Sequence, residues 1–109
     1  MLKPVFGNEN VEKILFYLYY CKEAYASKLS RVYGVRINGL QQQLIRLEQG
    51  GLIVSFMIGR SRMYELNPRY PFAKELLILI EKASKFLSKE YIERHYIERN
   101  RPRQKGKTL

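Results

Sequence analysis

The hydrophobic residues of the first half of the chain recur at helical spacing in three segments. The first segment predicts a helix over residues 8–21, with Asn8 as its N-cap and an apolar face formed by Val11, Ile14, Leu15, Leu18 and Tyr19. The second segment predicts a shorter helix over residues 25–32, with these side chains directed inward: Ala26, Leu29 and Val32 or Tyr33. Gly34 follows it and suits the left-handed conformation that ends a helix and begins a tight turn.

The third segment predicts a helix over residues 37–49 with two chemically different faces. One face is an apolar stripe formed by Ile37, Leu40, Leu44 and Leu47, and Gly50 ends the helix. At about 100° per residue, the opposite side of the helix carries the following residues: Asn38, Gly39, Gln42, Ile45 and Arg46. This outward face offers amide and guanidinium groups and no acid.

After residue 51 the pattern changes from helical spacing to alternation. Residues 52–58 are rich in β-branched and aromatic side chains, residues 59–62 form a glycine-containing turn, and residues 63–66 alternate. This pattern predicts a β-hairpin. A last long helix is predicted from Pro71 or Phe72 to about residue 98, and its Leu76–Ile80 segment is apolar on every face. The predicted fold is mainly α with a small β-hairpin, an α+β architecture.

This order of elements resembles a winged helix-turn-helix domain of small bacterial and archaeal transcriptional regulators. The resemblance spans about residues 6–80 and is densest in Ala26–Val35, in Leu40–Ile53 and in the hairpin Ile58–Pro68, which resembles the wing. It implies a DNA-binding domain over residues 1–70. The sequence beyond it predicts a dimerisation helix over 71–99, from its apolar pattern, and a basic, disordered tail over 100–109, from its charge and lack of periodicity. Arg36 stands where such families more often carry a capping Ser or Thr, which makes it a candidate phosphate contact instead.

Positive charge is concentrated in two parts of the chain. The whole sequence holds 20 Lys and Arg against 10 acids, all Glu, a net charge of +10. Residues 25–69 hold seven bases and two acids, a net charge of +5, and residues 91–109 hold six bases and two acids, a net charge of +4. The remaining residues contribute only +1. A polyanion is therefore the expected partner.

Together the charge and the resemblance nominate candidate DNA-binding residues. Asn and Gln can bind adenine, and Arg can bind guanine, in a major groove that admits a helix. The wing tip suits a phosphate or the adjacent minor groove. The candidates are Lys28, Arg31, Arg36, Asn38, Gly39, Gln42, Gln43, Arg46, Arg60, Ser61 and Arg62. The simpler alternatives are a solvated glutamine-rich face and a solubilising hairpin tip.

The apolar last helix exceeds what a small core can cover, so the sequence also predicts a homodimer. The candidate interface residues are Leu76, Leu77, Leu79, Ile80, Leu87 and Tyr91. In the alternative, residues 91–98 fold back and cover the monomer.

Several classes of protein and site are disfavoured by composition. A single Cys, Cys21, excludes an internal disulfide and a cysteine-based zinc cage, and the one histidine, His95, has no second ligand nearby in sequence. No nucleophile–base pair or phosphate-binding glycine loop is present, so we expect no enzyme, cofactor, metal or evident effector. No run approaches about 18 apolar residues, so a cytoplasmic protein without a membrane span is expected. The remaining alternatives to DNA binding are a winged-helix protein-interaction module and an RNA-binding domain.

Overall fold

The computed structural model describes residues 1–97, which form six helices and three strands. In chain order these are α1 (Lys3–Phe6), α2 (Glu9–Cys21), β1 (Glu23–Tyr25), α3 (Ala26–Tyr33), α4 (Ile37–Gln49), β2 (Ile53–Ile58), β3 (Ser61–Leu66), α5 (Ala73–Ser84) and α6 (Lys89–Tyr96). The predicted helix, helix, turn, helix and hairpin order is confirmed. The predicted tail over residues 100–109 lies outside the described residues.

Helix α2 is the central element of the core. The Asn8 side chain caps it by accepting hydrogen bonds from the backbone N–H groups of Asn10 and Val11, at 2.7 and 3.3 Å. Its apolar side is almost completely buried, and it packs against α4, α5 and α6. Ile14 and Leu15 on α2, Leu29 on α3 and Leu40 and Leu44 on α4 are each at most 1% exposed. The core therefore lies between the helix-turn-helix and the C-terminal helices.

The sheet has the strand order β1-β3-β2, and both pairs are antiparallel. Strands β2 and β3 are joined by a two-residue turn, Gly59-Arg60, which is shorter than the predicted turn over 59–62. Gly59 has φ of 61°, a left-handed conformation that glycine adopts without steric cost and that a two-residue hairpin requires at this position. Ser61 and Arg62 consequently belong to β3 rather than to the turn.

The C-terminal region differs from the single long helix predicted from about 71 to 98. The structure divides it into α5 and α6, separated by residues 85–88. The Ser88 hydroxyl accepts a hydrogen bond from the backbone N–H of Tyr91 at 3.0 Å and so caps a new helix. Helix α6 turns back onto α2, and Tyr96 at its end is 8% exposed. This is the alternative in which the end of the chain covers the monomer.

Candidate nucleic-acid interface

Helices α3 and α4 are joined by a tight turn that fixes their relative orientation. Gly34 ends α3 with φ of 65°, a left-handed conformation in which glycine avoids the clash of a side chain, and its N–H donates to the Ser30 carbonyl. The Ser30 hydroxyl spans the turn and donates to the Val35 carbonyl at 2.6 Å. Backbone and side-chain hydrogen bonds thus hold α4 at a defined angle to α3.

Helix α4 buries its leucine stripe and exposes a polar face. Leu40 and Leu44 are fully buried and Leu47 is 8% exposed. The exposed side chains of the helix are Asn38, Gln41, Gln42, Ile45, Arg46 and Gln49. Asn38, Gln42 and Arg46 therefore lie on the outward side, as the periodicity predicts, and Gln41 and Gln49 extend the same face. No acid lies on it, since the one glutamate of α4, Glu48, is turned toward the sheet.

Two of the candidate residues on α4 do not belong to this exposed face. Gln43 is only 9% exposed, and its side-chain oxygen accepts a hydrogen bond from Arg46 Nη1 at 2.6 Å. Gly39 faces α2, because a Cβ atom built on it would lie 3.1 Å from Asn10 Nδ2. The missing side chain therefore relieves the packing of α4 on α2. Gln43 therefore holds Arg46 in place and has too little exposed surface to contact a base. Gly39 lets α4 pack closely on α2 and does not face the exposed side of the helix.

The wing is tied to α4 by a chain of side-chain hydrogen bonds. Arg62 Nη1 donates to Ser55 Oγ at 2.9 Å, and Ser55 Oγ donates to Glu48 Oε2 at 2.6 Å. This chain links β3 through β2 to α4 and uses one donor of Arg62 within the protein. Arg60 and Ser61 remain exposed at the tip. The sequence gives no clear sign of this chain, because Glu48 and Ser55 belong to different elements.

A groove separates the wing tip from the start of α3 and the side of α4. Its volume is about 340 Å³, and the polar and charged groups along it come from Ser27, Gln41, Arg60, Ser61 and Arg62. Tyr25 and Tyr64 lie along the same groove. Burial raises the pKa of the Tyr64 hydroxyl above its usual range, the neighbouring Glu48 raises it further, and the Arg62 guanidinium partly offsets the rise. The groove can receive an oxyanion.

The basic residues of this region are not neutralised by acids of the protein. Two ion pairs occur among residues 1–97, between the Met1 amino group and Glu12 and between Lys3 and Glu9, and both lie at the N-terminus. Arg31 and Arg36 are exposed, and Lys28 is half-buried. The positive charge of α3, α4 and the wing is therefore directed to solvent.

The candidate dimer residues are placed differently from one another. Ile80 is 1% exposed and belongs to the monomer core, so its placement in an interface is wrong. Leu76, Leu87 and Tyr91 are half-buried and pack against the same core. Leu77 and Leu79 are 42% and 36% exposed. Ile78, between them in sequence, is 58% exposed, and Phe72 and Phe86 next to the ends of α5 are 62% and 72% exposed.

An aromatic cluster fastens α6 to α2 and α3. The hydroxyl oxygens of Tyr33 and Tyr96 lie 2.6 Å apart, and the Tyr33 hydroxyl donates to the Lys13 carbonyl at 2.9 Å. His95 is half-buried and stacked on Tyr33. Cys21 Sγ donates to the Tyr96 carbonyl at 3.5 Å. Burial raises the pKa of both hydroxyls, Tyr33 and Tyr96, far above the usual range for tyrosine.

The part of the chain that the structure describes contains neither a metal centre nor a membrane-spanning helix. Over residues 1–97 no group of His, Cys and Glu side chains could hold a metal ion. Within the same residues no helix is both long and apolar enough to cross a bilayer. The interface on α4 and the wing is thus the feature with the most defined chemistry.

Comparison with known proteins supports the architecture. No protein-family model and no curated protein matches the sequence. A double mutant of ZitR from Lactococcus lactis, solved in apo form, is 16% identical, with a TM-score of 0.50 over 84% of this chain and 78% of that chain. ZitR is a winged-helix protein, and the likeness at this identity concerns the fold. The chain therefore has an α+β winged helix-turn-helix fold.

Proposed function

We propose that this protein is a sequence-specific regulator that binds double-stranded DNA, with α4 in the major groove and the wing beside it. The observation that carries the proposal is the exposed, acid-free face of α4 in a helix-turn-helix. Asn38, Gln42 and Arg46 present on that face the amide and guanidinium groups that pair with adenine and guanine edges. The fold likeness to a winged-helix regulator agrees with this proposal.

The remaining cations take the role of phosphate contacts. Arg31 and Arg36 lie at the end of α3 and before α4, and Arg60 lies at the wing tip next to the groove. None of them is paired with an acid in the described part of the chain. Such contacts hold the protein in register on DNA without reading its sequence. Of the cations near the wing, Arg62 is the least available for a phosphate contact, because one of its N–H donors already binds Ser55 Oγ.

Ile45 adds an apolar contact in the middle of the polar face. It is 52% exposed on the outward side of α4. In the major groove the apolar group that such a side chain meets is the thymine methyl. We expect replacement of thymine by uracil in the preferred sequence to weaken binding, and Ile45→Ala to remove the difference between the two duplexes. Competition binding with matched thymine and uracil duplexes measures this effect.

The DNA-binding experiment uses fluorescence anisotropy on duplexes enriched from a random pool. The triple variant Asn38→Ala, Gln42→Ala, Arg46→Ala is expected to lose its preference for the enriched sequence, since each paired base contact contributes about 1–3 kcal/mol of discrimination. Lys82→Ala, on α5, is the control that also removes one positive charge. Preference retained by the triple variant would contradict the assignment of α4 as the reading helix.

RNA is a direct competitor in the same assay. The deep, narrow major groove of duplex RNA does not admit side chains, so duplex RNA is expected to compete weakly. The tyrosines of the cluster beneath α6 offer little stacking surface, because Tyr17 and Tyr96 are buried and Tyr33 is half-buried. Equal affinity for RNA and DNA would favour the RNA-binding alternative.

Dimerisation through α5 completes the proposal. The surface of Leu77, Ile78 and Leu79 is apolar and exposed, and a two-fold pair would bury it while doubling the basic surface. A dimer bound over promoter DNA would exclude polymerase and act as a repressor. Sedimentation velocity is expected to show that Ile78→Lys loses one association step that the wild type shows, whereas Arg94→Ala, on α6, retains it. A monomeric wild type would contradict this part.

A further inference from the structure

Strand β2 lies at the edge of the sheet and leaves part of its backbone unpaired. The two-residue turn makes Ile58 and Ser61 the pair that closes the hairpin, and hydrogen-bonded pairs alternate from there along the ladder. The N–H and C=O groups of Ser55 and Met57 therefore point away from β3. No described residue outside the sheet pairs with these backbone groups.

The side chains along this edge are apolar and exposed. Phe56, Met57 and Ile58 are 39%, 52% and 47% exposed. Natural edge strands are usually guarded against pairing by a lysine, a proline, a bulge or a very short length. β2 has six residues and none of these features. The other edge, β1, has three residues, begins with Glu23 and runs directly into α3.

The edge is also compatible in charge with a copy of itself. Residues 49–59 form the longest segment of the sequence without a charged side chain, on a chain with a net charge of +10. Two copies that approach through most other surfaces bring cations together, whereas two β2 strands bring none. The strand itself thus adds no like-charge repulsion between two copies, although Arg60 and Arg62 lie beside it on the turn and on β3.

We propose that β2 pairs antiparallel with β2 of a second copy, so that two three-stranded sheets become one continuous sheet. With Phe56 on the two-fold axis, the outward backbone groups of Ser55 meet those of Met57 of the second copy. Phe56 then faces Phe56, and Val54 faces Ile58, on one side of the joined sheet. Because the pairing is two-fold, each copy closes the other's β2 edge and no further strand can add there.

This contact is separate from the α5 surface and does not depend on DNA binding. It is tested with the full chain by sedimentation velocity over a series of concentrations. Phe56→Lys and Phe56→Glu each place like charges directly opposite across the axis, and each is expected to lose one association step that the wild type shows. An equimolar mixture of the two variants is expected to regain it, since opposite charges then face each other.

Cross-linking provides a second readout that dimerisation through α5 does not affect. In a Cys21→Ser background, Phe56→Cys is expected to form an intermolecular disulfide, whereas Lys3→Cys on α1, away from both proposed contacts, is not. Circular dichroism checks that each variant is folded. Equal association of the wild type and both residue-56 charge variants, or a mixture that does not regain the step, would overturn the proposal.

Discussion

Helices α4 and α5 have similar amounts of leucine and isoleucine, but only α4 could be oriented from its sequence. In α4 polar residues occupy one whole side, so the leucine stripe can only face inward. In α5 the segment Leu76–Ile80 is apolar all round, and periodicity cannot tell which side faces solvent. The structure buries Ile80 and exposes Ile78, two residues that the sequence pattern treats alike. The polar residues of a helix therefore carry the information about its orientation.

The largest expected effect tests the orientation of α4 with two neighbouring residues. Leu44→Ala removes a fully buried side chain and is expected to lower the free energy of unfolding by about 2–5 kcal/mol. Ile45→Ala removes a half-exposed side chain and is expected to change it by less than about 0.5 kcal/mol. Denaturant unfolding measures both values. Similar losses for the two variants would mean that the two faces are not distinct.

A second effect concerns the aromatic cluster that fastens α6 to α2 and α3. Helix α6 corresponds to the outer half of the long helix predicted from the sequence. The unfolded chain releases a tyrosine proton near pH 10, whereas burial raises the pKa of Tyr33 and Tyr96 in the folded chain. Below about pH 10 these tyrosines are neutral in both the folded and the unfolded chain, so their ionisation does not reduce the free energy of unfolding there. Above about pH 10 the two tyrosines ionise only in the unfolded chain, and the free energy of unfolding falls by up to about 1.4 kcal/mol per pH unit for each of them.

Unfolding by denaturant at several alkaline pH values checks this slope. Tyr33→Phe removes one of the tyrosines whose pKa is raised in the folded chain, so its slope is expected to be shallower than that of the wild type. A wild-type stability that does not change from pH 10 upward would contradict the burial of these hydroxyls.

The smallest expected effect tests the contact between α6 and α3. Tyr96→Phe removes the hydroxyl that meets Tyr33, and the Tyr33 hydroxyl keeps its bond to the Lys13 carbonyl. The expected loss of stability is about 1 kcal/mol. Tyr70→Phe, outside the cluster, is the control and is expected to be near neutral. Equal losses of stability in Tyr96→Phe and Tyr70→Phe would show that the hydrogen bond between Tyr96 and Tyr33 does not hold α6 in place.

Local signals in the sequence were sufficient for much of the fold. Asn8, Gly34 and the leucine stripe of α4 act within a few residues of the chain, and the structure confirms the helices that they predict. The short elements α1 and β1 were not predicted, because three or four residues carry too little pattern. Ser88 is a recognisable N-cap that was hidden inside an apparently continuous helical pattern.

Tertiary contacts decided the rest. Gln43 lies about 80° from the centre of the leucine stripe, a flank where periodicity does not determine burial. Its bond to Arg46 and the proximity of Gly39 to Asn10 become visible only when the helices are packed. The same holds for the hydrogen bonds from Arg62 through Ser55 to Glu48, which join three elements.

Binding of duplex DNA as a function of salt tests the central claim most directly. The wild type is expected to bind random duplexes at low salt and to weaken by about 0.9 log units per phosphate contact for each tenfold increase in salt. Arg36→Ala and Arg60→Ala should each reduce that slope by up to the amount that one phosphate contact contributes, whereas Lys82→Ala should leave the slope unchanged. No binding to duplex DNA below about 100 mM salt would contradict the account.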